Sequence, residues 1–193
     1  MAQNRLKILA APTLLLSAAL IAFSCASRPP DASTYPLLAT SVQTADGALI
    51  ARIPMGWNSP PSDTLPSGVD AWLVSDDRAA FMALREINLD RPTGQRVRQE
   101  GLELLARLSI AFRSDSAHAA ASVPVKASVL NDLKVCSYEL ATAGEWKSVI
   151  VMTLKGRFYE CEANVAGGTA EVTRRVSEAQ KAFCISLATL SRE

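Results

Sequence analysis

Histidine is almost absent from this chain: among 193 residues there is one, His118. A single imidazole argues against a histidine-rich metal site and leaves few groups for acid–base catalysis near neutral pH. An excess of one charge is also lacking, because 20 Lys and Arg residues are balanced by 19 Asp and Glu residues. No Lys/Arg-rich run supplies the electrostatic footprint of a nucleic-acid-binding protein. We therefore expect no metal, no cofactor and no nucleic-acid partner.

Long apolar runs are lacking too, with one exception at the N-terminus. Two basic residues and no acid precede an apolar run over residues 8–23, which Ser24 and Cys25 follow. A basic start, an apolar stretch and small residues are the form of a secretory signal peptide. The run contains Pro12 and is shorter than the roughly 20 apolar residues that a membrane-spanning helix needs.

This start resembles a bacterial lipoprotein precursor, in which a Cys follows the apolar segment and becomes the first mature residue. The resemblance implies removal of residues 1–24 and acylation of Cys25, which would anchor the protein in a lipid bilayer. In a Gram-negative envelope, Ala26 would direct it to the outer membrane, facing the periplasm. Ordinary cleavage after Ser24 is the alternative. The Ser- and Pro-rich residues 25–39 are predicted to be a flexible tether, and residues 40–193 a single domain.

Turn signals divide the remainder into short strands. Asp46-Gly47 predicts a hairpin, and Asp76-Asp77 separates a second pair of strands. The segment 113–128 is small and polar, and we expect a mobile connection there. It precedes a predicted three-stranded meander, whose strands cover residues 133–142, 146–155 and 158–165.

Two stretches show the apolar spacing of helices. The first begins at Asp90 or Thr93 and is predicted to run to about Phe112, with Gly101 on its core face. A glycine there suggests that the helix lies close to a sheet. The second helix follows Gly167-Gly168, which we interpret as a helix-start turn rather than a phosphate cradle.

The order of strands, helix, three strands and helix predicts an α+β domain: an antiparallel sheet with two main helices packed on it. The strand end Ile53-Pro54-x-Gly56-Trp57, the hairpin at 130–133, Phe158-Tyr159 and a closing helix with Phe183 resemble the PsbP-like α/β/α sandwich. The resemblance implies an accessory or assembly protein that binds partners and shares no catalytic site.

Three cysteines remain after Cys25, in a compartment where disulfides persist. Cys136 and Cys161 fall on strands separated by a third strand, which is too far for a disulfide. Cys184 lies at the margin of the apolar face of the last helix, which directly follows the Cys161 strand. We therefore predict a Cys161–Cys184 disulfide, with Cys136–Cys184 as the alternative.

A few residues are candidates for chemistry or binding. Glu160 and Glu162 share a strand face, for which Glu139, two strands away, is a further candidate. Carboxylates placed in this way could hold calcium or form a glycosidase-like pair, although we expect that face to be solvated. His118 has Ser and Asp neighbours, but a solvated loop histidine is the simpler interpretation. Trp146, beside a turn, is a candidate partner contact.

The sequence thus predicts a membrane-tethered extracytoplasmic lipoprotein that acts as a non-catalytic binding or assembly accessory module. Its partners would be the bilayer, through acylated Cys25, and an envelope protein or a small ligand. The alternative is an envelope hydrolase that uses the 113–128 loop or the Glu160/Glu162 face.

Overall fold

Strands dominate the part of the chain that the computed structural model describes, which is residues 33–113, 123–142 and 144–191. The strands and helices there are β1 (Leu37–Gln43), β2 (Ile50–Pro54), β3 (Trp57–Asn58), β4 (Ala71–Ser75), β5 (Ala80–Glu86), α1 (Arg91–Glu100), α2 (Leu102–Arg113), β6 (Lys126–Leu130), β7 (Leu133–Thr142), β8 (Glu145–Leu154), β9 (Arg157–Ala166) and α3 (Ala170–Leu190). The predicted signal peptide, Cys25 and His118 lie outside these residues. None of the described helices is both long and apolar enough to span a bilayer.

The main sheet has seven strands in the order β3-β4-β5-β9-β8-β7-β6, and every neighbouring pair is antiparallel. The predicted meander forms β7 to β9. The predicted hairpin about Asp46-Gly47 also forms, but β1 and β2 make a separate two-stranded sheet. The predicted connection over residues 113–128 overlaps β6, which begins at Lys126. Residues 114–122 of this connection lie outside the described part of the chain. The β6–β7 turn at Asn131 and Asp132 has φ of 45° and 71°, a backbone conformation that Asn and Asp adopt more readily than most residues.

Helices cover both faces of the sheet, which confirms the predicted α+β sandwich. Along β9, alternate side chains point to opposite faces: Phe158 packs with α1 and α2, whereas Tyr159 and Cys161 pack with α3. The β1–β2 hairpin also packs against α3, and Ser186 of the helix accepts a hydrogen bond from the backbone N–H of Arg52 at 2.7 Å. Among the described residues, every buried member of the two hydrophobic clusters lies between residues 49 and 188.

The predicted first helix is two helices, because Gly101 interrupts it. Gly101 has φ +94° and ψ −178°, a conformation that is essentially restricted to glycine. A Cβ built at this position would meet no atom within 4 Å. The expectation that Gly101 lets the helix approach the sheet was therefore wrong: the residue is needed for its backbone angles. The break ends α1 at Glu100 and starts α2 at Leu102.

A different glycine is required for close packing. A Cβ on Gly168, just before α3, would lie 2.5 Å from Cγ1 of Val165, which is fully buried and has no room to move. Gly168 is therefore needed because a larger side chain would clash with Val165 where the chain turns from β9 into α3.

The last part of the predicted tether, residues 33–39, contacts the folded domain. The hydroxyl of Ser33 donates to the carbonyl of Glu178 on α3 at 3.1 Å, and the Tyr35 hydroxyl donates to the carbonyl of Met55 at 3.0 Å. Tyr35 also packs against the core, and β1 begins at Leu37. The folded domain therefore includes residues 33–39.

Candidate binding groove

Glu160 and Glu162 point to the same face of β9, as predicted, but that face is not solvated there. The residues are 9% and 4% exposed, because α2 covers their side of the sheet. Glu139 was expected to share this face and does not. It is paired with Ser148 in the sheet and lies on the α3 side, so the three carboxylates do not form a calcium site.

Two arginines neutralise the buried carboxylates. Arg113, the last residue of α2, donates from Nη1 to Oε2 of Glu162 at 2.8 Å and from Nη2 to Oε1 of Glu160. Arg85 on β5 donates from Nη1 to the same Glu162 oxygen at 3.1 Å and lies 3.7 Å from Oε1 of Glu160. We call these four residues the ion cluster. It holds two positive and two negative charges and is formally neutral.

A chain of hydroxyl groups completes the ion cluster. The Ser109 hydroxyl donates to Oε2 of Glu160 at 2.9 Å and lies 2.8 Å from the Tyr138 hydroxyl. Nε of Arg113 donates to the Tyr138 oxygen at 3.1 Å. Because the Ser109 proton is committed to Glu160, the Tyr138 proton is the one that joins the two hydroxyls. The order of donation is therefore Arg113 to Tyr138 to Ser109 to Glu160.

Burial and the neighbouring charges fix the protonation of the groups that donate. Burial, the largest single effect, lowers the pKa of Arg113, but Glu160, Tyr138 and Glu162 together raise it by more, so the net pKa lies above its usual value. Burial also raises the pKa of Tyr138, against smaller opposing effects of Ser109 and Arg113. Both groups stay protonated across the physiological range, and the direction of the hydrogen bonds does not depend on pH there.

A groove of about 540 Å³ opens beside the ion cluster, between α2 and the β5–α1 connection. Phe112 stands at its rim with 83% of its surface exposed. We call this the α2 groove, and its lining combines polar and charged groups (Arg85, Glu86, Asn88, Ser109, Arg113, Glu160, Glu162) with apolar ones (Ile87, Leu89, Leu105, Leu108, Phe112). Its volume falls within the range of small-molecule sites.

No protein-family model matches the chain, and no curated protein matches it. Its fold is similar to those of several solved structures. Cyanobacterial PsbP from Synechocystis sp. PCC 6803 is 10% identical, with 76% of this chain and 89% of that chain covered and a TM-score of 0.43. The Ran-binding protein Mog1p of Saccharomyces cerevisiae is 10% identical, with 81% and 93% covered and a TM-score of 0.48. LpqN, involved in cell envelope biogenesis of Mycobacterium tuberculosis, is 11% identical, with 78% and 87% covered and a TM-score of 0.32. These likenesses concern the fold only.

Trp146, the predicted partner contact, does not line the α2 groove. It is half-buried on the α3 side of the sheet, where it packs against the core and its Nε1 donates to Oε2 of Glu139 at 3.2 Å. Trp57 is buried in the core. A role of Trp146 in partner binding stays a prediction.

The predicted disulfide partners meet as free thiols. Cys161 and Cys184 are both fully buried as free thiols in the same cluster on the α3 side. Gln180, one turn before Cys184, donates to the carbonyl of Cys161 at 2.7 Å and so fixes the helix over this strand. Cys136 lies in the cluster on the opposite face of the sheet. The sheet therefore lies between Cys136 and Cys184, and the Cys161–Cys184 disulfide stays a prediction.

The sequence indicated the two acids of the ion cluster but not its two arginines. Arg85 pairs across the sheet with Glu160, and Ala83 pairs with Glu162, so a basic residue faces the two acids on the neighbouring strand. Opposite charges at facing strand positions were the available signal. Arg113 could not be found in this way, because its position depends on the helix break at Gly101.

Proposed function

We propose that the protein is a membrane-tethered binding module of the bacterial cell envelope and that the α2 groove is its binding site. The N-terminal signal pattern supports this proposal, with acylated Cys25 as the membrane anchor and the predicted Ser- and Pro-rich tether between it and the domain. Ala26 favours the outer membrane in a Gram-negative envelope, with the domain facing the periplasm.

The assignment of the binding site depends on one observation: Phe112 is 83% exposed beside a concave, partly apolar surface. Exposed aromatic side chains next to pockets are typical of contact sites, because their burial on binding contributes a large apolar area. The carboxylates of the ion cluster beneath the groove are held by hydrogen bonds from Arg85, Arg113 and Ser109, so they form a rigid floor. Rigid, preorganised surfaces bind with less loss of conformational entropy.

The same geometry favours binding over hydrolysis. Oε1 and Oε2 of Glu160 and Oε2 of Glu162 accept bonds from arginine or serine donors. A general acid or base needs an oxygen directed at the substrate, within hydrogen-bonding reach of the proton that moves. Carboxylates held in this way support the positions of Arg85 and Arg113 instead.

Site-specific photocrosslinking in intact cells tests the proposal. A benzophenone amino acid in place of Phe112, in the full chain, is expected to give a discrete crosslinked adduct after irradiation. The control replaces Met55, which is 52% exposed in the β2–β3 turn and does not line the groove. Adducts at position 112 and none at position 55 support the α2 groove. Equal yields at both positions, or none at either, contradict it.

A further inference from the structure

We propose that the α2 groove takes an amphiphilic carboxylate, with the carboxylate on Arg85 and an aliphatic chain along the apolar wall. This inference rests on the proposed function, since it names the ligand class of the same groove. It follows from which hydrogen-bond donors of the ion cluster are still available and from the composition of the wall.

The head-group site is Arg85. All three nitrogens of the Arg113 guanidinium donate within the cluster, to Tyr138, Glu162 and Glu160. Arg85 donates from Nη1 alone, and within the described ranges its Nε and Nη2 have no acceptor. Its side chain is 31% exposed and lines the groove. A guanidinium edge with two N–H groups matches the two oxygens of a carboxylate.

The surrounding charges favour recognition by hydrogen bonding over attraction by net charge. The ion cluster is neutral, and the other acid at the groove, Glu86, is paired with Arg157 at 3.1 Å. Glu160 and Glu162 hold the Arg85 guanidinium in place and thereby preorganise its free edge. Binding of a carboxylate should therefore depend only weakly on salt concentration.

The wall of the groove requires an apolar ligand body. Leu105 is fully buried at the base, Ile87, Leu89 and Leu108 are half-buried, and Phe112 is exposed at the rim. This gradient from buried to exposed suits a chain that enters past Phe112. Each methylene removed from water strengthens binding roughly fourfold until the groove is filled.

Calorimetric titration of residues 26–193 tests the proposal, because this segment contains every residue of both cores. Hexanoate, octanoate and decanoate, all below their micellar concentrations, are expected to bind with affinity rising roughly fourfold per added methylene. Decanol and decylamine should bind at least about tenfold more weakly than decanoate, because neither can accept both N–H groups of Arg85.

Two variants locate the site. Phe112→Ser should weaken decanoate binding at least about fivefold, because it removes the exposed end of the wall. Met55→Ser, an equally drastic change at another exposed apolar residue, should leave it unchanged. Arg85→Gln should abolish the preference for decanoate over decanol; if this variant unfolds, the decanoate-to-decanol ratio of the unchanged chain and Phe112→Ser decide.

The outcomes separate the two proposals. Equal affinity for decanoate and decanol, or decanoate binding that Phe112→Ser leaves unchanged, overturns the inference. Absence of binding by all three acids, together with a position-112 adduct to a protein in cells, overturns the inference and leaves the proposed function standing. Absence of both overturns both.

Discussion

Replacing Arg113 by Gln should lower the free energy of unfolding by about 3–5 kcal/mol. The change leaves two carboxylates, whose side chains are 12% and 5% exposed, with Arg85 as their one remaining cation in the cluster. A buried charge that loses its partner has given up its hydration without a compensating interaction. Removing one partner therefore costs much more free energy than the intact pair contributes to stability. Urea denaturation at neutral pH measures the effect.

Arg107→Gln is the matched control, on the same helix. Arg107 is bonded to Glu103 at 3.0 Å, but both side chains are about half exposed, so its loss should change stability by no more than about 0.5 kcal/mol. Adding Glu162→Gln to Arg113→Gln should recover part of the loss, because it removes one uncompensated charge. Equal effects of Arg113→Gln and Arg107→Gln would contradict a cluster that depends on burial.

Oxidation of Cys161 and Cys184 to a disulfide should raise the free energy of unfolding by about 3 kcal/mol, because the bond closes a loop of moderate length. Both thiols are buried in the same cluster between β9 and α3, where a bond between them stays within the core. Denaturation of the exported protein with and without a phosphine reductant measures the difference. Each protein is compared with itself, so the packing cost of a substitution cancels.

Variants of the three thiols identify the pair. Cys184→Ser should make stability insensitive to the reductant, whereas Cys136→Ser, on the opposite face, should preserve the sensitivity. Burial is the main cause that raises the pKa of Cys184 well above its ordinary value, and the neighbouring Cys161 thiol raises it further. Since the thiolate is the reactive form, oxidation should occur during folding and be slow once the core has closed. A reductant effect that survives in Cys184→Ser would show that the bond involves other residues.

Local patterns were sufficient to predict most of the sheet. The meander β7 to β9 is specified by alternating side chains and by glycine-containing turns, and each strand pairs with its neighbour in sequence. The placement of Cys161 near Cys184 followed from the same reasoning. The separate β1–β2 sheet could not be predicted, because its position depends on contacts with α3, which lies more than a hundred residues away.

The α2 groove escaped prediction for a physical reason. Apolar spacing is continuous across residues 97–111, so the pattern alone indicates one helix, and only the backbone angles of Gly101 divide it. That division places Arg113 over β9 and turns the Glu160/Glu162 face from a surface into a buried cluster. The acids were visible in the sequence, but their partners come from a strand and a helix far apart in the chain.

We propose that acylated Cys25 anchors the domain with the α2 groove to a membrane. The intact mass of the protein extracted from its native membrane tests this most directly. We expect a chain that begins at Cys25 and carries the added mass of acyl chains. A chain that begins at an unmodified Cys25, or one that retains residues 1–24, would contradict the anchor.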